Sequence, residues 1–448
     1  MSEHNIAAII LAAGKGTRMK SQMPKVLHKV ANRPMLGHVM EAASAAGCAP
    51  TVVVTSPDMP EVAEYARKRE CQIAHQEVQL GTGHAVQCAQ DALADHHGHV
   101  VVLFGDSPLI LPDTISQLAE VLNRDAETAV AVFGFDVPTP PAYGRLITSG
   151  NGELERIVEA KDASPEELAV TVCNSGVMAI RGSLVWNLLA AIDNQNAQEE
   201  YYLTDIIAAA RAEGYRCRVV MGDETEALGI NSRQQLAQVE RLMQTRLRNT
   251  AMDEGVTLQD PASTFLSADT EYGTDITIQP GVFIGPDVVI GDGVEIRAFS
   301  HLEGCVIGDR ALIGPYARIR PGSNIGAESK IGNFVELKKA ELEEGVKVSH
   351  LSYIGDAFIG AESNIGAGTI TCNYDGYKKY HTEIGKDVFI GSNSALVAPI
   401  VIGSGAYVGA GSVVTDNVAS DGLAIARSRQ EVKEAWGKAF RERMEQDS

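Results

Sequence analysis

The sequence predicts two fold classes in one chain: an α/β, mostly parallel sheet first, and a parallel β-helix after it. Three observations carry this. Apolar, β-branched runs alternate with amphipathic stretches through the first half. Aliphatic residues then recur every six positions. The length, 448 residues, exceeds one ordinary core at roughly 150 residues per domain. The divisions read from these textures are residues 1–232, a connecting helix at 233–252, and 253–448.

In the first division, strands are expected at Ile6–Leu11, Thr51–Val54, Val100–Phe104 and Ala129–Phe135. Helices are expected at Met35–Ala46, Glu61–Arg69 and Gly83–Leu93. Buried strands alternating with amphipathic helices give a mostly parallel sheet covered on both faces. Ligands of such sheets gather at the carboxyl ends of the strands. Arg233–Arg248 has helical periodicity through Leu236, Val239, Leu242, Met243 and Leu247. It reads equally as a connecting helix or as a packed helix of the first domain.

From about Leu266 the period becomes six. Tyr272, Ile278, Ile284, Ile290, Ile296 and Leu302 are followed, after a one-residue slip, by Ile307 through Leu337. Val348 and Ile354 follow in a third register, Ile359 and Ile365 in a fourth, and Ile384 through Val414 in a last run. A period of six is neither strand alternation nor helix, and it signals a parallel β-helix with one inward aliphatic per side. Three sides make a coil of about 18 residues. Thr371–Glu383 breaks the repeat and reads as a loop thrown from a corner, where function is often carried. Ser428–Ser448, charged but with Trp436 and Phe440, reads as a short helix or a frayed tail.

Composition narrows the function classes. The net charge of −20 argues against a general nucleic-acid or anionic-membrane binder, which needs a basic footprint. No apolar run approaches the ~20 residues of a membrane span, and no signal peptide is read at the start. The 7 cysteines are scattered without a CxxC pair, as expected of a protein of the reducing cytoplasm.

The first strand runs into Ala12-Ala13-Gly14-Lys15-Gly16-Thr17-Arg18-Met19, with Pro24-Lys25 beyond. A strand feeding a glycine-rich turn offers backbone N–H groups to a phosphate chain, and Arg18 and Lys25 add positive charge. The spacing is neither GxxxxGK[ST] nor GxGxxG. Gly105-Asp106 closes another apolar strand, where a carboxylate is well placed for Mg²⁺. One carboxylate cannot fill an octahedral shell, so phosphate oxygens, water and another protein oxygen must help. Taken alone, Asp106 also reads as a cap on the Pro108 turn.

These residues, with Gln76, Leu80-Gly81-Thr82-Gly83-His84-Ala85 and Tyr143-Gly144-Arg145, resemble the signature of nucleotidyltransferases that make nucleoside-diphosphate sugars. Joined to the hexapeptide half, the chain resembles, over residues 6–430, the bacterial bifunctional N-acetylglucosamine-1-phosphate uridylyltransferase / glucosamine-1-phosphate N-acetyltransferase family. The resemblance implies a Rossmann-like nucleotidyltransferase domain and a left-handed β-helix. It implies that Leu11, Ala12, Ala13, Gly14, Gln76, Gly81 and Thr82, with Phe104 and Gly105, hold the nucleotide of UTP. Lys25 would bind phosphate, and Arg18 would neutralise the developing pyrophosphate. Gly144, Glu159, Asn174, Tyr202 and Thr204 would hold N-acetylglucosamine-1-phosphate. Asn231 would join Asp106 on Mg²⁺; alone, it reads as well as a cap of the following helix. Phe104 stands where tyrosine is common, and Ala160 departs after Glu159; tuning is expected, not loss of activity.

In the β-helix, His350 lies within the repeat, near Arg320, Lys338 and the loop bearing Asn373-Tyr374. A protonated amine attacks a thioester only once neutral, and an imidazole is a fitting base near pH 7. The resemblance implies His350 as that base. Arg320, Lys338, Tyr353, Asn364, Asn373, Tyr374 and Lys379 would then hold glucosamine-1-phosphate. Ala367, Asn373, Tyr374, Ser392, Ala410 and Arg427 would hold acetyl-CoA. Read alone, Lys338-Lys339 is as well a solvated face, and Arg427 a tail charge. The resemblance further implies a homotrimer with acyltransferase sites built from more than one chain. Two rivals remain: a pyrophosphorylase whose β-helix serves only assembly or regulation, and a non-catalytic regulatory subunit.

Overall fold

The computed structural model describes residues 5–140, 143–196 and 198–447. By its internal contacts the chain falls into two compact units, Met1–Arg246 and Leu247–Ser448.

The first unit is built on a nine-stranded mixed sheet. Its strands are β1 (Ile6–Leu11), β2 (Thr51–Thr55), β3 (Gln72–His75), β4 (His99–Phe104), β5 (Thr128–Asp136), β6 (Arg145–Thr148), β7 (Leu154–Val158), β8 (Val172–Ile180) and β9 (Arg216–Met221). The order is β9-β5-β8-β4-β1-β2-β3, with β6 on β8 and β7 on β6. β4, β1, β2 and β3 are parallel, while β8 runs antiparallel to β4 and β5. β1 and β4 are buried almost throughout, because cores pack against both faces of the sheet.

The expected helix Gly83–Leu93 is in fact two pieces: a helix at Thr82–Gln87 and a 3₁₀ turn at Asp91–Leu93. Between them Ala89 and Gln90 donate to carbonyls three residues back, which tightens the coil and ends the α-helix. The helix expected from Arg233 runs on to Asp253.

The second unit is a left-handed parallel β-helix with three faces. One is a ten-stranded column of parallel pairs such as Ile278↔Ile296 and Ile296↔Ile313. A second carries Phe283–Ile284 and Arg318–Ile319, and a third Val288–Ile290 and Cys305–Ile307. The repeat residues from Ile278 to Val408 form a continuous dry interior. Tyr272, at the first coil, is only partly buried. The register slips are five-residue sides. Leu342, which breaks the spacing of six from Leu337, fills the inward position and is buried. Thr371 fills another, its hydroxyl bonded to Gly355 N–H at 2.7 Å. The loop 373–381 leaves between strands Ile370–Cys372 and Thr382–Ile384. Trp436–Gln446 is a helix with no buried residue, its Trp436 and Phe440 rings stacked at 5.1 Å.

Two candidate active sites

In the first unit, three adjoining cavities share Phe104 in their walls. One, of about 270 Å³, is lined by Leu11, Ala12, Ala13, Gly14, Lys25, Gln76, Gly81, Thr82, Phe104 and Asp106. The carboxyl ends of β1 and β4 lie side by side there, with Leu11 paired to Phe104, and Gly105 N–H donates to the Leu11 carbonyl at 3.0 Å. The glycine-rich turn follows β1. Gly16 has φ +59°, and a Cβ there would come within 2.5 Å of Lys25 Cβ, so this turn needs glycine to let Lys25 in.

Lys25 Nζ donates to Asp106 Oδ2, and to Asn231 Oδ1 at 3.0 Å. The three residues are brought together because Ile230 N–H donates to the Asp106 carbonyl at 3.0 Å. The side chain of Asn231 therefore does not cap the helix that follows. Ser232 does, its hydroxyl accepting from Gln235 N–H at 3.2 Å, while Gln235 Oε1 accepts from Asn231 N–H at 2.8 Å. The Asp106 carboxylate likewise faces Lys25. Two protein oxygens thus converge on a point now held by an ammonium, a donor set suited to a hard divalent cation. No cluster of three or more His, Cys, Asp or Glu able to hold a metal exists among the described residues.

Arg18, exposed, joins Asp106, Tyr143 and Asn231 around the second cavity, of about 760 Å³. Arg233, beyond Asn231, donates to the Met19 carbonyl at 3.2 Å and meets His28 Nδ1 at 3.3 Å, so it ties down the turn bearing Arg18. Burial, then the Arg233 charge, hold the His28 imidazole below its usual range.

The third cavity, about 240 Å³, gathers Thr82, Gly144, Glu159, Asn174, Gly176 and Thr204. Asn174 N–H donates to the Gly144 carbonyl at 2.8 Å, and its Oδ1 accepts from Gly176 N–H at 3.0 Å. Burial raises the Glu159 carboxyl above the usual range, helped by repulsion from Asp162 and Asp205. Tyr202 stands beside the same carboxylates, which with burial push its phenol up. The nucleotide and sugar cavities are knitted together, because Leu203 N–H donates to Thr82 Oγ1 at 3.1 Å and Gly83 N–H to the Tyr201 carbonyl at 2.8 Å. Sequence reasoning missed Glu200 and Gly176 as wall residues and quoted Tyr143 only as part of a motif; Gly176 is required because a Cβ would sit 2.7 Å from the Phe104 ring.

In the second unit, His350 stands exposed at the corner between the ten-stranded face and the second face. Its Nδ1 lies 2.8 Å from Asn333 Oδ1 on the coil below. Since that oxygen only accepts, Nδ1 carries the proton, so in the neutral ring the lone pair is on Nε2. Above His350 the same corner continues through Ala367, Ser392 and Ala410 to Arg427. Successive coils are linked by Gly368 N–H to His350 O at 3.3 Å, Asn393 N–H to Ala367 O at 2.7 Å, and Gly411 N–H to Ser392 O at 2.8 Å. A Cβ on Gly411 would lie 3.7 Å from Arg427 Cδ. Four of the six residues expected to hold acetyl-CoA, Ala367, Ser392, Ala410 and Arg427, therefore form one ledge rising from the imidazole, whereas Asn373 and Tyr374 lie apart from it in the same chain, beside Asp356 and Lys379.

At the other edge of the second face sit Arg320, Lys338, Tyr353, Asn373, Tyr374 and Lys379. Arg320 pairs with Glu336 at 2.8 Å, and Asn373 Nδ2 donates to Asp356 at 2.5 Å. Tyr374 bridges to Lys379 across the loop. Lys338 crowds Lys379 and holds its pKa below the usual lysine range. Like charges side by side favour a bound anion between them. Asn364 is not part of this cluster within one chain: it lies on the ten-stranded face, paired with Lys347.

Below His350 the corner positions Phe299, Tyr316 and Phe334 have φ of 59°, 56° and 54°, a left-handed conformation costly for bulky side chains. Their rings stack at 5.1 and 5.3 Å and remain about half exposed.

An α/β unit with a glycine-rich turn beside its parallel strands, and a hexapeptide β-helix, define the class of a transferase, and sequence comparison agrees. Residues 8–164 match the MobA-like NTP transferase domain, and residues 304–339 and 381–416 the bacterial transferase hexapeptide (six repeats). The chain is 49% identical to the bifunctional protein GlmU of Paramagnetospirillum magneticum, over 98% of each. It is 51% identical to that of Xanthobacter autotrophicus over 98% of each, and 49% identical to that of Zymomonas mobilis over 99% of each. The chain belongs to the GlmU family of bifunctional enzymes.

Proposed function

We propose that the two sites divide the two reactions of this bifunctional enzyme of UDP-N-acetylglucosamine synthesis. The β-helix transfers the acetyl group of acetyl-CoA to glucosamine-1-phosphate. The amine nitrogen attacks the thioester carbon, His350 Nε2 takes the amine proton, and the coenzyme A thiolate leaves and is protonated. Asn333 fixes the imidazole tautomer, Lys338 and Lys379 receive the phosphate, and the ledge from Ala367 to Arg427 receives acetyl-CoA. The observation that carries this reading is the ledge rising directly from a singly oriented imidazole.

The α/β unit then joins N-acetylglucosamine-1-phosphate to the uridylyl group. A sugar-phosphate oxygen attacks the α-phosphorus of UTP in line, the bond to the β-phosphate oxygen breaks, and pyrophosphate leaves. No protein nucleophile is needed. Asp106 and Asn231 would hold Mg²⁺, whose charge would offset that of the phosphates. Lys25 and Arg18 bind phosphate, and Glu159 and Asn174 hydrogen-bond the sugar, a means of rejecting analogues that lack a hydroxyl.

The protein assembles as a homotrimer in the cytoplasm. Support comes from the exposed aromatic corner, from Asn364 standing apart from the sugar-phosphate cluster of its own chain, and from cysteines that are all free thiols. No helix of the described residues is long and apolar enough to cross a membrane.

The test supplies glucosamine-1-phosphate, acetyl-CoA, UTP and Mg²⁺ and follows free thiol and pyrophosphate separately. His350→Ala should abolish thiol release and, given N-acetylglucosamine-1-phosphate, leave pyrophosphate release intact. Asp106→Ala should do the reverse. Loss of both reactions from either substitution in a folded protein would refute the division.

A further inference from the structure

Gln76, at the end of β3, is 4% exposed, and its side-chain nitrogen Nε2 makes two contacts. It lies 3.1 Å from the Gly81 carbonyl oxygen and 3.1 Å from His84 Nδ1. A carbonyl can only accept, so the amide is fixed with its NH₂ toward Gly81 and His84. Both amide hydrogens are then used, one on each partner, and His84 Nδ1 must be an unprotonated acceptor. The imidazole proton therefore sits on Nε2, which faces Cys88 Sγ at 3.9 Å as a weak acceptor. The Gln76 oxygen Oε1 has no hydrogen-bond partner among the described residues, and Gln76 lines the cavity formed with Leu11, Ala12 and Ala13.

We infer that His84 is a positioning residue that locks Gln76 so that only an acceptor faces the base, which makes the subsite selective for a pyrimidine carrying a ring N–H. Uracil presents N3–H at that edge, whereas cytosine presents a lone pair there, and two acceptors face to face repel. Without His84, the Gly81 carbonyl alone holds the amide, so turning it to offer NH₂ to cytosine forfeits one hydrogen bond in place of two. The inference rests on the reading of this cavity as the UTP site.

The experiment measures kcat and KM for pyrophosphate release with UTP and with CTP in the native protein, His84→Ala and His84→Gln. The native protein should prefer UTP. In His84→Ala the ratio of kcat/KM for UTP over CTP should fall about tenfold, the scale of one mispaired buried hydrogen bond. The change should lie in KM, with CTP used as well as before or better, a pattern that general loosening of the fold does not give. His84→Gln, whose side-chain oxygen can accept in place of Nδ1, should restore most of the preference. A UTP-to-CTP ratio unchanged by His84→Ala overturns the inference alone. A native protein with no preference for UTP overturns the uracil reading and the inference with it.

Discussion

Lys25, Asp106 and Asn231 meet although 81 and 206 residues separate Lys25 from its two partners. The glycine-rich turn and the Gly-Asp pair were legible because each sits at the end of an apolar strand. Asn231 was reached only through the resemblance, since nothing in its own segment distinguishes a ligand from a cap. Asn333 and His84 were not legible, because each acts through one contact in space that no periodicity marks. For Asn333 the expectation is specific. Asn333→Ala should lower kcat for acetyl transfer by about 10- to 100-fold, with KM little changed, because the imidazole loses its fixed tautomer. Asn333→Asp, which keeps an acceptor, should recover most of it; equal loss in both variants would dismiss the role. Lys379 gives a pH prediction. Crowding by Lys338 lowers its pKa, so its charge is lost at lower pH than that of an ordinary lysine. KM for glucosamine-1-phosphate should therefore rise on the alkaline side, and in Lys338→Met that rise should move to higher pH even though the baseline KM is worse. For folding the sign is the same as for any lysine with a lowered native pKa. The unfolded chain binds more protons between the lowered and ordinary values, so this residue's contribution to stability increases with pH there.

At the scale of elements, the β-helix was legible because one aliphatic per side must point inward whatever surrounds it. The slips were less so. A five-residue side still delivers an inward residue, but Leu342 stands five and not six from Leu337, so it opens the register of Val348 and Ile354 unseen, and Thr371 carries a hydroxyl where an aliphatic is expected. Its position is satisfied because that hydroxyl bonds Gly355. The broken helix after Thr82 was hidden because residues donating three or four positions back share one apolar pattern. Stacked coils contact only their neighbours, so damage should stay local. Ile331→Ala removes most of a fully buried side chain and should cost about 2–5 kcal/mol. Hydrogen exchange should quicken in the coils holding Ile313, Ile331 and Val348, which are paired in register, and change little near Val408.

At the scale of the whole molecule, each unit encloses its own core, which suits the proposed division of the two reactions between them. Length and the change of period pointed to more than one domain, and composition to a net negative charge, but neither said anything about assembly, because an exposed aromatic looks in sequence like one that is buried. If the corner at Phe299, Tyr316 and Phe334 is where copies meet, Tyr316→Asp should yield monomers by light scattering. Acetyl transfer should be lost with the trimer, and pyrophosphate release should persist. A trimer unchanged by Tyr316→Asp would place the contact elsewhere. The stacked coils, whose partners recur 17 or 18 residues apart, carry a mechanical consequence as well. Drawn out by its ends, such a rod has no long-range strand pairing to hold it whole, so an optical trap should record a sawtooth. Each tooth would pay out about 60 Å of chain, one coil at ~3.4 Å per residue, except where the longer loop-bearing coil lets go.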